Sequence, residues 1–293
     1  MFEQLGLIGC GLMGGSFALA LKQAGLVKRV VGYSKSPSTT ERARELGVID
    51  VEAPSALLAA AGADIVLLAV PVAATEVTLK AIRHLVTPQT LVMDVGSTKQ
   101  DVVQAARSAL GNSVGSFVPA HPITGREVAG VEHAQADLYR GCQVILTPTE
   151  RTLTAQLRRA EQLWSALGCQ VSTMAPEHHD TAFAAVSHLP HLLAFALLNS
   201  IIGQERSNTL LQLAGPGFRD FTRIAAGDPK IWRDILRANR TEVLAQSRLF
   251  EQALQQLQAA MQEDDTQHLE DLLTLASSTR AHWRMGQSHN HED

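Results

Sequence analysis

Two short polar runs carry residue types that are suited to moving a proton. They are DVGSTK at 94–99 and AHPITGRE at 120–127. Each follows an apolar, strand-like segment, so both are expected at one edge of a parallel sheet, where α/β proteins bind their ligands. His121 stands directly before Pro122, and a neutral imidazole there is well suited to take a proton from an alcohol as its hydride leaves. The pattern therefore predicts His121 as a general base.

A second cluster of candidate binding residues lies in a glycine-containing stretch at 215–234. Its charged and aromatic members include Arg219, Asp220, Arg223 and Trp232. Arginines gathered in such a stretch favour carboxylate binding, because a guanidinium donates two parallel hydrogen bonds to a carboxylate. A network of surface salt bridges would place the same residues there and remains the alternative.

The sequence does not predict a metal site. His188 and His191 lie three residues apart, but no cysteine or third ligand lies at a suitable spacing. The three cysteines, Cys10, Cys142 and Cys169, show no C-x-x-C pattern. Such sparse cysteines are typical of a reducing compartment, and we expect them to fill small spaces in the core.

Three glycines, Gly9, Gly11 and Gly14, separate a strand-like run from a helix-like run near the N-terminus. This G-x-G-x-x-G spacing, in a strand–turn–helix context, is typical of dinucleotide binding. The first glycine permits the turn, the second lets the backbone approach a pyrophosphate at the helix N-terminus, and the third allows close packing. We therefore expect the cofactor to be bound by Gly9, Gly11, Leu12, Met13 and Gly14.

The end of the second strand bears on the choice between NAD and NADP. An NAD site usually carries an acidic residue there, which binds the ribose hydroxyls. This chain has Ser34, Lys35 and Ser36 instead. Hydroxyls beside an ammonium group would bind a 2′-phosphate, so the sequence favours NADP over NAD; the alternative is that Lys35 is only a solvated surface charge. Val70 and Pro71, at the end of the third strand, are expected to line the cofactor cleft.

The elements that must hold these residues alternate between strand and helix in the first half of the chain. Apolar runs predict strands at 5–9, 29–33, 65–70, 90–94, 117–120 and 143–147, with helices at 16–24, 40–46, 75–84 and 99–110. A capping box at 38–41 and Gly47 mark the limits of the second helix. The alternation predicts right-handed βαβ crossovers, and so an α/β, Rossmann-type doubly wound parallel sheet.

The chain after residue 148 is predicted to be helical apart from one short strand at 170–173. Pro176 and Pro229 mark helix starts. The segment 230–261 lacks glycine and proline and predicts one long helix, whose apolar residues fit a subunit interface. These patterns predict a dinucleotide-binding domain at 1–173, an all-helical substrate and dimerisation domain at 174–285, and a flexible tail at 286–293.

Length and charge exclude several classes of protein. A chain of 293 residues exceeds the usual size of a single core and predicts two domains. A net charge of −4 argues against binding to nucleic acid. No uninterrupted apolar run reaches the roughly 18 residues that span a bilayer, and the N-terminus lacks a signal-peptide pattern. We therefore expect a cytoplasmic protein with no membrane partner.

The motifs GCGLMG, DVGSTK, HPITGRE, SHLPH and GFRDFTRIAAGDPKIWRD together resemble those of the prephenate/arogenate dehydrogenase family. The similarity extends from Gly9 to about Asp234, with the motifs in family order. It implies oxidative decarboxylation of prephenate, arogenate or both in tyrosine biosynthesis, with a nicotinamide cofactor and a homodimer formed by the helical domain. No chorismate mutase segment precedes the glycine turn and no ACT-like segment follows the helices, so we expect the monofunctional form.

The resemblance also implies roles for single residues. His121 would bind the C4 hydroxyl of the substrate ring and accept its proton, and Ser97 would lie near that hydroxyl and the nicotinamide. His188 would line the substrate pocket, and Arg223 would bind a substrate carboxylate. Glu127 matches a gate residue of some members.

Two further positions, Asp220 and Trp232, match residues that shape the same wall of the pocket. The residue before the gate position varies in the family, and here it is Arg126. Prephenate and arogenate differ only in a keto or an amino group on the side chain, so the choice between them stays open. Inhibition by tyrosine is equally open.

Two other functions remain compatible with the glycine turn. Another dehydrogenase with a Rossmann and a helical domain, of the 3-hydroxyacid or imino-acid reductase type, would carry a catalytic lysine in the helical domain. Here Lys230 is the one lysine after Lys99, and it lies in no such motif. A non-catalytic NADP-sensing regulator would have no need of His121, Ser97 and Arg223 together.

Overall fold

The computed structural model describes residues 1–284, which form two compact units, Met1–Arg240 and a second unit that begins at Thr241. The first unit contains a six-stranded parallel sheet with the order β3-β2-β1-β4-β5-β6. Its strands are β1 (Phe2–Ile8), β2 (Val27–Tyr33), β3 (Val51–Glu52), β4 (Ile65–Leu68), β5 (Leu91–Asp94) and β6 (Phe117–Val118). This is the strand order of a doubly wound dinucleotide-binding sheet, and it confirms the predicted fold class.

The sheet is buried on both of its faces. The connections between its strands carry α1 (Leu12–Gln23), α2 (Pro37–Glu45), α3 (Ala56–Ala60), α4 (Thr75–Ile82) and α5 (Gln100–Leu110). Leu67 and Met93 belong to one apolar cluster, whereas their chain neighbours Val66 and Val92 belong to another. Because successive side chains of a strand point to opposite faces, the two clusters lie on the two sides of the sheet.

A second sheet, which the sequence pattern did not predict, carries the candidate base. It consists of β7 (Ala120–Pro122), β8 (Gln143–Leu146) and β9 (Gln170–Thr173), with β7 antiparallel and β9 parallel to β8. The prediction of one strand at 117–120 is wrong, because Pro119 has no N–H for a ladder and the chain leaves the first sheet there. The carbonyl of Pro119 instead accepts from the N–H of Thr147 at 3.0 Å.

The rest of the first unit is helical. Its helices are α6 (Thr154–Ala166), α7 (Pro176–Phe183), α8 (Leu189–Ile202), α9 (Ser207–Gln212), α10 (Pro216–Thr222) and α11 (Pro229–Ala238). The predicted helix starts at Pro176 and Pro229 are confirmed, and Asp228 caps α11 by accepting from the N–H groups of Lys230 and Ile231. A π-helical segment, Ala184–His188, joins α7 to α8 and coincides with the start of the SHLPH motif. Such segments often occur at functional sites.

The predicted continuous helix at 230–261 is wrong. The structure has α11 up to Ala238 and α12 (Arg240–Gln262), with Asn239 between them at φ −100° and ψ 30°. The buried amide of Asn239 donates to the carbonyl of Asp180 at 2.7 Å. This tertiary hydrogen bond holds Asn239 outside helical geometry, and asparagine has a low intrinsic preference for helices.

The second unit consists of α12 from Thr241 onward and α13 (Thr266–His282). Several large apolar side chains of these helices are exposed in the single chain: Leu244, Leu249, Phe250, Leu254, Met261, Leu273 and Leu275. Exposed apolar faces of this kind mark interaction surfaces. The predicted tail at 286–293 lies outside the described residues.

One helical stretch within residues 1–284, Pro176–Ile202, is long and apolar enough to cross a membrane by length and composition alone. The same stretch contains the π-helical segment and three fully buried polar side chains, His179, Asp180 and His188. All three side chains are hydrogen-bonded inside the first unit.

The limits of α2 differ from the sequence prediction at one end. The capping box at 38–41 does not form, because the helix begins at Pro37 with Ser36 as its cap residue, and the Ser38 hydroxyl bonds the Ser36 hydroxyl at 2.8 Å. At the other end Gly47 has φ +70°, as expected for a glycine that ends a helix.

Candidate active site

The glycine turn between β1 and α1 has the geometry of a phosphate-binding turn. Gly9 has φ +102°, and a Cβ atom there would lie 2.1 Å from the carbonyl oxygen of Ala69. A Cβ at Gly14 would lie 2.1 Å from the carbonyl oxygen of Gly9. A Cβ at Gly11 would meet no atom within 4 Å, and α1 has no side-chain cap. The open backbone at Gly11 and the uncapped helix N-terminus fit a pyrophosphate.

A cavity of about 320 Å³ lies beside this turn. The predicted cofactor residues that line it are Gly11, Leu12, Met13, Val70, Pro71 and Ser97. Ile231, Asp234 and Ile235 of α11 contribute to the same wall, which the sequence pattern did not predict. Gly9 and Gly14 lie in the turn itself, where they allow its close packing. We call this space the cofactor cavity.

The serines after β2 lie close to the glycine turn. The Ser34 hydroxyl accepts from the backbone N–H of Cys10 at 2.8 Å, and the Ser34 N–H bonds the Thr40 hydroxyl. Lys35 and Ser36 are exposed. Ser34 therefore supports the turn, whereas the two residues after it are open to a ligand.

A larger cavity of about 810 Å³ lies next to the first, and we call it the substrate cavity. Its wall includes His121, Glu127 and Trp232 of the predicted site residues. The two cavities share Ser97 and Arg126 in their walls. A molecule in one cavity can therefore meet a molecule in the other at Ser97, which a hydride transfer between them requires.

A chain of hydrogen bonds fixes the protonation of His121. Asp180 Oδ1 lies 2.8 Å from His179 Nδ1, and His179 Nε2 lies 2.8 Å from His121 Nδ1. Burial, together with the nearby charges of His179 and Lys99, lowers the pKa of His121 well below its ordinary value. Burial also lowers the pKa of His179. With both imidazoles neutral, the Asp180 carboxylate accepts from His179, His179 accepts from His121, and His121 Nε2 is left as a proton acceptor.

The carboxylate of Asp180 is held by the N-terminus of α5. Its two oxygens accept from the backbone N–H groups of Lys99 at 2.8 Å and Gln100 at 2.9 Å. Burial alone would raise the pKa of Asp180, but the hydrogen bonds from His179 and from these two N–H groups outweigh it and keep the pKa below its ordinary value. Asp180 is therefore ionised at neutral pH and orients His179.

A buried ion pair ties the strand of Ser97 to the strand of His121. Lys99 Nζ lies 2.5 Å from Asp94 Oδ2 and donates to the carbonyl of Ala120 at 2.8 Å. Asp94 also accepts from the N–H groups of Gly96 and Ala120. Both partners are almost fully buried, and each also bonds backbone groups. The pair therefore fixes the ends of β5 and β7 relative to each other.

The structure does not place His188 in the wall of the substrate cavity, where the resemblance implies it. His188 is fully buried and lines neither cavity, and its Nδ1 bonds the Asn239 amide at 3.1 Å. Burial lowers the pKa of His188 to about 4. His191 lines the substrate cavity and stacks on Trp232, with ring centroids 3.5 Å apart. The structure thus brings His191, and not His188, to the cavity surface.

The predicted carboxylate-binding residues are not all gathered at the cavity. Glu127 lines it and forms an ion pair with Arg223, which is 61% exposed and is not itself among the residues that line the cavity. Asp220 pairs with its neighbour Arg219 on the exposed side of α10, and it does not reach the cavity. In this structure Asp220 therefore does not shape the wall as expected.

Sequence reasoning missed four buried polar residues that support the site: Lys99, His179, Asp180 and Asn239. Lys99 lies in a motif that was singled out, but its role was not assigned. The run Glu177-His178-His179-Asp180 contained a signal, since a histidine beside an aspartate is a common orienting pair. Among the described residues 1–284, no group of three or more His, Cys, Asp or Glu residues is placed to hold a metal ion.

Comparison with known protein families covers nearly the whole chain. The family model described as prephenate dehydrogenase, nucleotide-binding domain, matches residues 17–173. The model described as prephenate dehydrogenase, dimerization domain, matches residues 175–275. Among curated relatives, the cyclohexadienyl dehydrogenase of Zymomonas mobilis is 32% identical over 92% of this chain and 92% of its own length. The prephenate dehydrogenase of Bacillus subtilis is 34% identical over 92% of this chain and 73% of its own length.

Solved structures show the same similarity. A crystal structure of prephenate dehydrogenase from Aquifex aeolicus, in complex with hydroxyphenyl propionate and NAD+, has a TM-score of 0.90 and 36% identity, and covers 96% of this chain and 98% of its own. The arogenate dehydrogenase of Synechocystis has a TM-score of 0.80 and 28% identity, and covers 95% of this chain and 99% of its own.

Proposed function

The chain belongs to the prephenate dehydrogenase family, and on this basis we propose that it oxidises and decarboxylates prephenate, arogenate or both, with a nicotinamide cofactor, in tyrosine biosynthesis. The observation that carries the proposal is the meeting of the two cavities at Ser97, with the buried His121–His179–Asp180 chain beside them. That arrangement offers a base, a place for a ring and a place for a hydride acceptor.

His121 is the base of the proposed reaction. When bound, the nicotinamide ring accepts the hydride that leaves C4 of the substrate ring. His121 Nε2 takes the proton of the C4 hydroxyl as the carbonyl forms. The bond from the ring to its carboxylate then breaks, CO₂ departs, and the electrons of that bond complete the aromatic ring while the carbonyl pair moves onto the C4 oxygen. That oxygen takes the proton back from His121, which gives the phenol. The positive charge that forms on His121 is stabilised through His179 by the Asp180 carboxylate. We propose that Ser97 positions the hydroxyl between the two cavities.

The cationic rim is the proposed site for a substrate carboxylate. The Arg223 guanidinium is held beside the cavity by its ion pair with Glu127, and its remaining N–H groups can donate to a substrate carboxylate. Glu127 then acts as the gate residue, because its ion pair must loosen as the substrate enters. His191, stacked on Trp232, supplies the opposite aromatic wall. We assign the substrate-contacting histidine of the SHLPH motif to position 191 and give His188 a structural role.

The cofactor is a nicotinamide dinucleotide, and we propose a preference for NADP. The support is the group of exposed hydroxyl and ammonium side chains after β2, at Lys35 and Ser36, where an NAD site usually carries an acid. Initial rates with NADP+ and NAD+ test the preference. We expect a higher kcat/KM with NADP+, and Lys35→Ala is expected to reduce that advantage; equal or greater efficiency with NAD+ contradicts it.

The protein acts on a small molecule as a homodimer, as its dimerization domain indicates. The apolar side chains exposed on α12 and α13 are the surface that we expect at the dimer interface. We also propose the domain limits 1–173 and 174–285 and a cytoplasmic location. Limited proteolysis of the full chain tests the first limit, since it should cut near residues 173–175 before it cuts within either part.

The decisive experiment supplies the pure protein with each substrate and each cofactor. Reduced nicotinamide should appear by absorbance with prephenate or arogenate, together with an aromatic product that chromatography identifies. A 3-hydroxyacid is the control substrate, because Lys230 lies in the wall of the substrate cavity and a lysine is the usual catalytic group of that dehydrogenase class. Turnover of the 3-hydroxyacid alone, or dinucleotide binding without turnover of any substrate, would overturn the proposed function.

A further inference from the structure

The thiols of Cys142 and Cys169 face each other in the second sheet, away from both cavities. Their sulfur atoms are 3.8 Å apart. Cys142 directly precedes β8 and Cys169 directly precedes β9, and the parallel register pairs Gln143 with Gln170. The hydrogen bonds on either side continue this register, with the Gly141 N–H bonding the carbonyl of Gly168 and the Gln170 N–H bonding the carbonyl of Cys142. The two cysteines therefore stand opposite one another.

The backbone spacing at this place suits a disulfide. Neighbouring strands lie about 4.7–4.9 Å apart, and disulfides need Cα atoms about 4.4–6.8 Å apart. The two sulfur atoms must close from 3.8 Å to about 2.05 Å, which rotation about the side-chain bonds can supply without a change of strand register. The pair is therefore poised for a bond within one chain.

The two thiols differ in accessibility and in acidity. Cys142 is half-buried at the surface, whereas Cys169 is buried, with its Sγ 3.3 Å from the carbonyl oxygen of Tyr139. The contact between the two sulfur atoms lowers the pKa of Cys142. The same contact, together with burial, raises the pKa of Cys169. Cys142 is thus the thiol that ionises first and that an oxidant in solvent can reach.

We propose that Cys142 and Cys169 form a reversible dithiol modification site, which oxidants of the hydroperoxide class convert into an intramolecular disulfide. With hydrogen peroxide, the Cys142 thiolate attacks one oxygen, the O–O bond breaks, and the leaving hydroxide takes a proton and departs as water. Cys142 is then a sulfenic acid. The Cys169 sulfur attacks the Cys142 sulfur, the S–O bond breaks, and the hydroxyl leaves as a second water with the Cys169 proton. Two thiols and one peroxide give one disulfide and two waters.

The third cysteine of the chain provides an internal control. Cys10 is buried beside the glycine turn, where burial raises its pKa to about 11. A buried thiol of this kind is inert toward oxidants. Transient disulfides are the usual kind in a reducing compartment, so the site requires no oxidising environment.

The test treats the reduced, full-length protein with a small molar excess of hydrogen peroxide. We expect the intact mass to fall by two hydrogens, two of the three thiols to disappear, and dithiothreitol to restore both. Peptide mapping should join Cys142 to Cys169. Cys10→Ser should behave in the same way with one thiol fewer, because it leaves the pair intact.

Single variants test the order of the two steps. Cys169→Ser should trap a sulfenic acid at Cys142, which dimedone labels, while Cys142→Ser should lose neither the hydrogens nor the thiols on the same timescale. Both variants should keep the wild-type melting temperature within a few degrees, since serine replaces sulfur at a strand end. Disulfides between chains, stepwise gain of oxygen with no loss of hydrogen, or faster oxidation of Cys10 than of the pair would overturn the proposal.

Discussion

The cofactor cavity and the substrate cavity share Ser97, but the chain builds them from different groups. The cofactor cavity depends on backbone within six consecutive positions, Gly9 to Gly14, where the functional property is the absence of a side chain. The proton-accepting chain of the substrate cavity joins three side chains, and its first two members, His121 and His179, are 58 positions apart. A site of backbone groups is broken by adding atoms, whereas a site of side chains is broken by removing them.

This contrast separates the expected kinetic effects. Substitutions in the glycine turn should act on binding of the dinucleotide, because the turn contacts a part of the cofactor that does not react. Substitutions in the histidine chain should act on turnover, because its members hold and move the proton only as the reaction proceeds. Each variant below is therefore measured for both kcat and the KM of the cofactor.

The largest effect should follow loss of the base itself. His121→Asn keeps a polar side chain of similar size but supplies no nitrogen that accepts a proton. We expect kcat to fall by about 10²–10⁴-fold, the usual contribution of general-base catalysis, with the dinucleotide dissociation constant unchanged. Stopped-flow or steady-state rates and fluorescence titration measure the two quantities. Turnover close to that of the wild type would refute the assignment of His121.

A smaller effect should follow loss of the charge at the far end of the chain. Asp180→Asn keeps the shape but removes the negative charge that orients His179 and stabilises the positive charge formed on His121. Loss of one charge-assisted hydrogen bond, about 1.5–3 kcal/mol, corresponds to a kcat lower by about 10- to 150-fold.

The matched control for this variant is Glu177→Gln, which removes an acid from the same helix at an exposed position. It should leave kcat unchanged. An equal loss in both variants would show that the charge of the helix, and not the hydrogen bond to His179, is responsible. An unchanged kcat in Asp180→Asn would remove Asp180 from the mechanism.

The glycine turn offers a pair of variants that distinguishes ligand contact from packing. A Cβ at Gly11 meets open space in the free protein, so Gly11→Ala should fold normally and raise the cofactor KM by about tenfold, or about 1.4 kcal/mol, by intruding on the pyrophosphate. A Cβ at Gly14 meets the backbone of Gly9, so Gly14→Ala should lower the melting temperature as well. If Gly11→Ala leaves the cofactor KM unchanged, the phosphates do not lie at this turn.

The same contrast explains which parts of the molecule could be predicted from the sequence. The glycine turn could be predicted because its residue types are determined locally. A positive φ at Gly9 and close packing at Gly14 restrict those positions to glycine. The parallel sheet could be predicted because apolar runs alternate with helical patterns along the sequence. His121 could be predicted because it directly follows an apolar run and stands before Pro122, although the structure places it within β7.

The partners of His121 could not be read in this way. Four histidines, His178, His179, His188 and His191, lie within fourteen positions of the chain, and no local pattern states which of them reaches β7. The answer depends on the π-helical segment and on the break at Asn239, which are set by tertiary hydrogen bonds. The second sheet was missed for a related reason, since an antiparallel pairing of β7 with β8 leaves the same apolar runs as a parallel one.

The pH dependence provides the finest test of the comparison. A base must be neutral to act, and burial with the neighbouring positive charges lowers the pKa of His121 below its ordinary value of about 6.5. The acid limb of kcat/KM should therefore lie below pH 6.5 in the wild type. The dinucleotide dissociation constant should depend on pH in the same way in the wild type and in His121→Asn.

Stability must be measured in parallel, because burial also lowers the pKa of His188 to about 4. Between about pH 6.5 and 4 the unfolded chain binds more protons than the folded one, so the free energy of unfolding falls as the pH decreases. Urea denaturation at each pH separates this loss from protonation of the base. An acid limb above pH 6.5, in protein that is still folded, would mean that His121 carries a stabilised charge and is not the neutral acceptor that the hydrogen-bond chain requires.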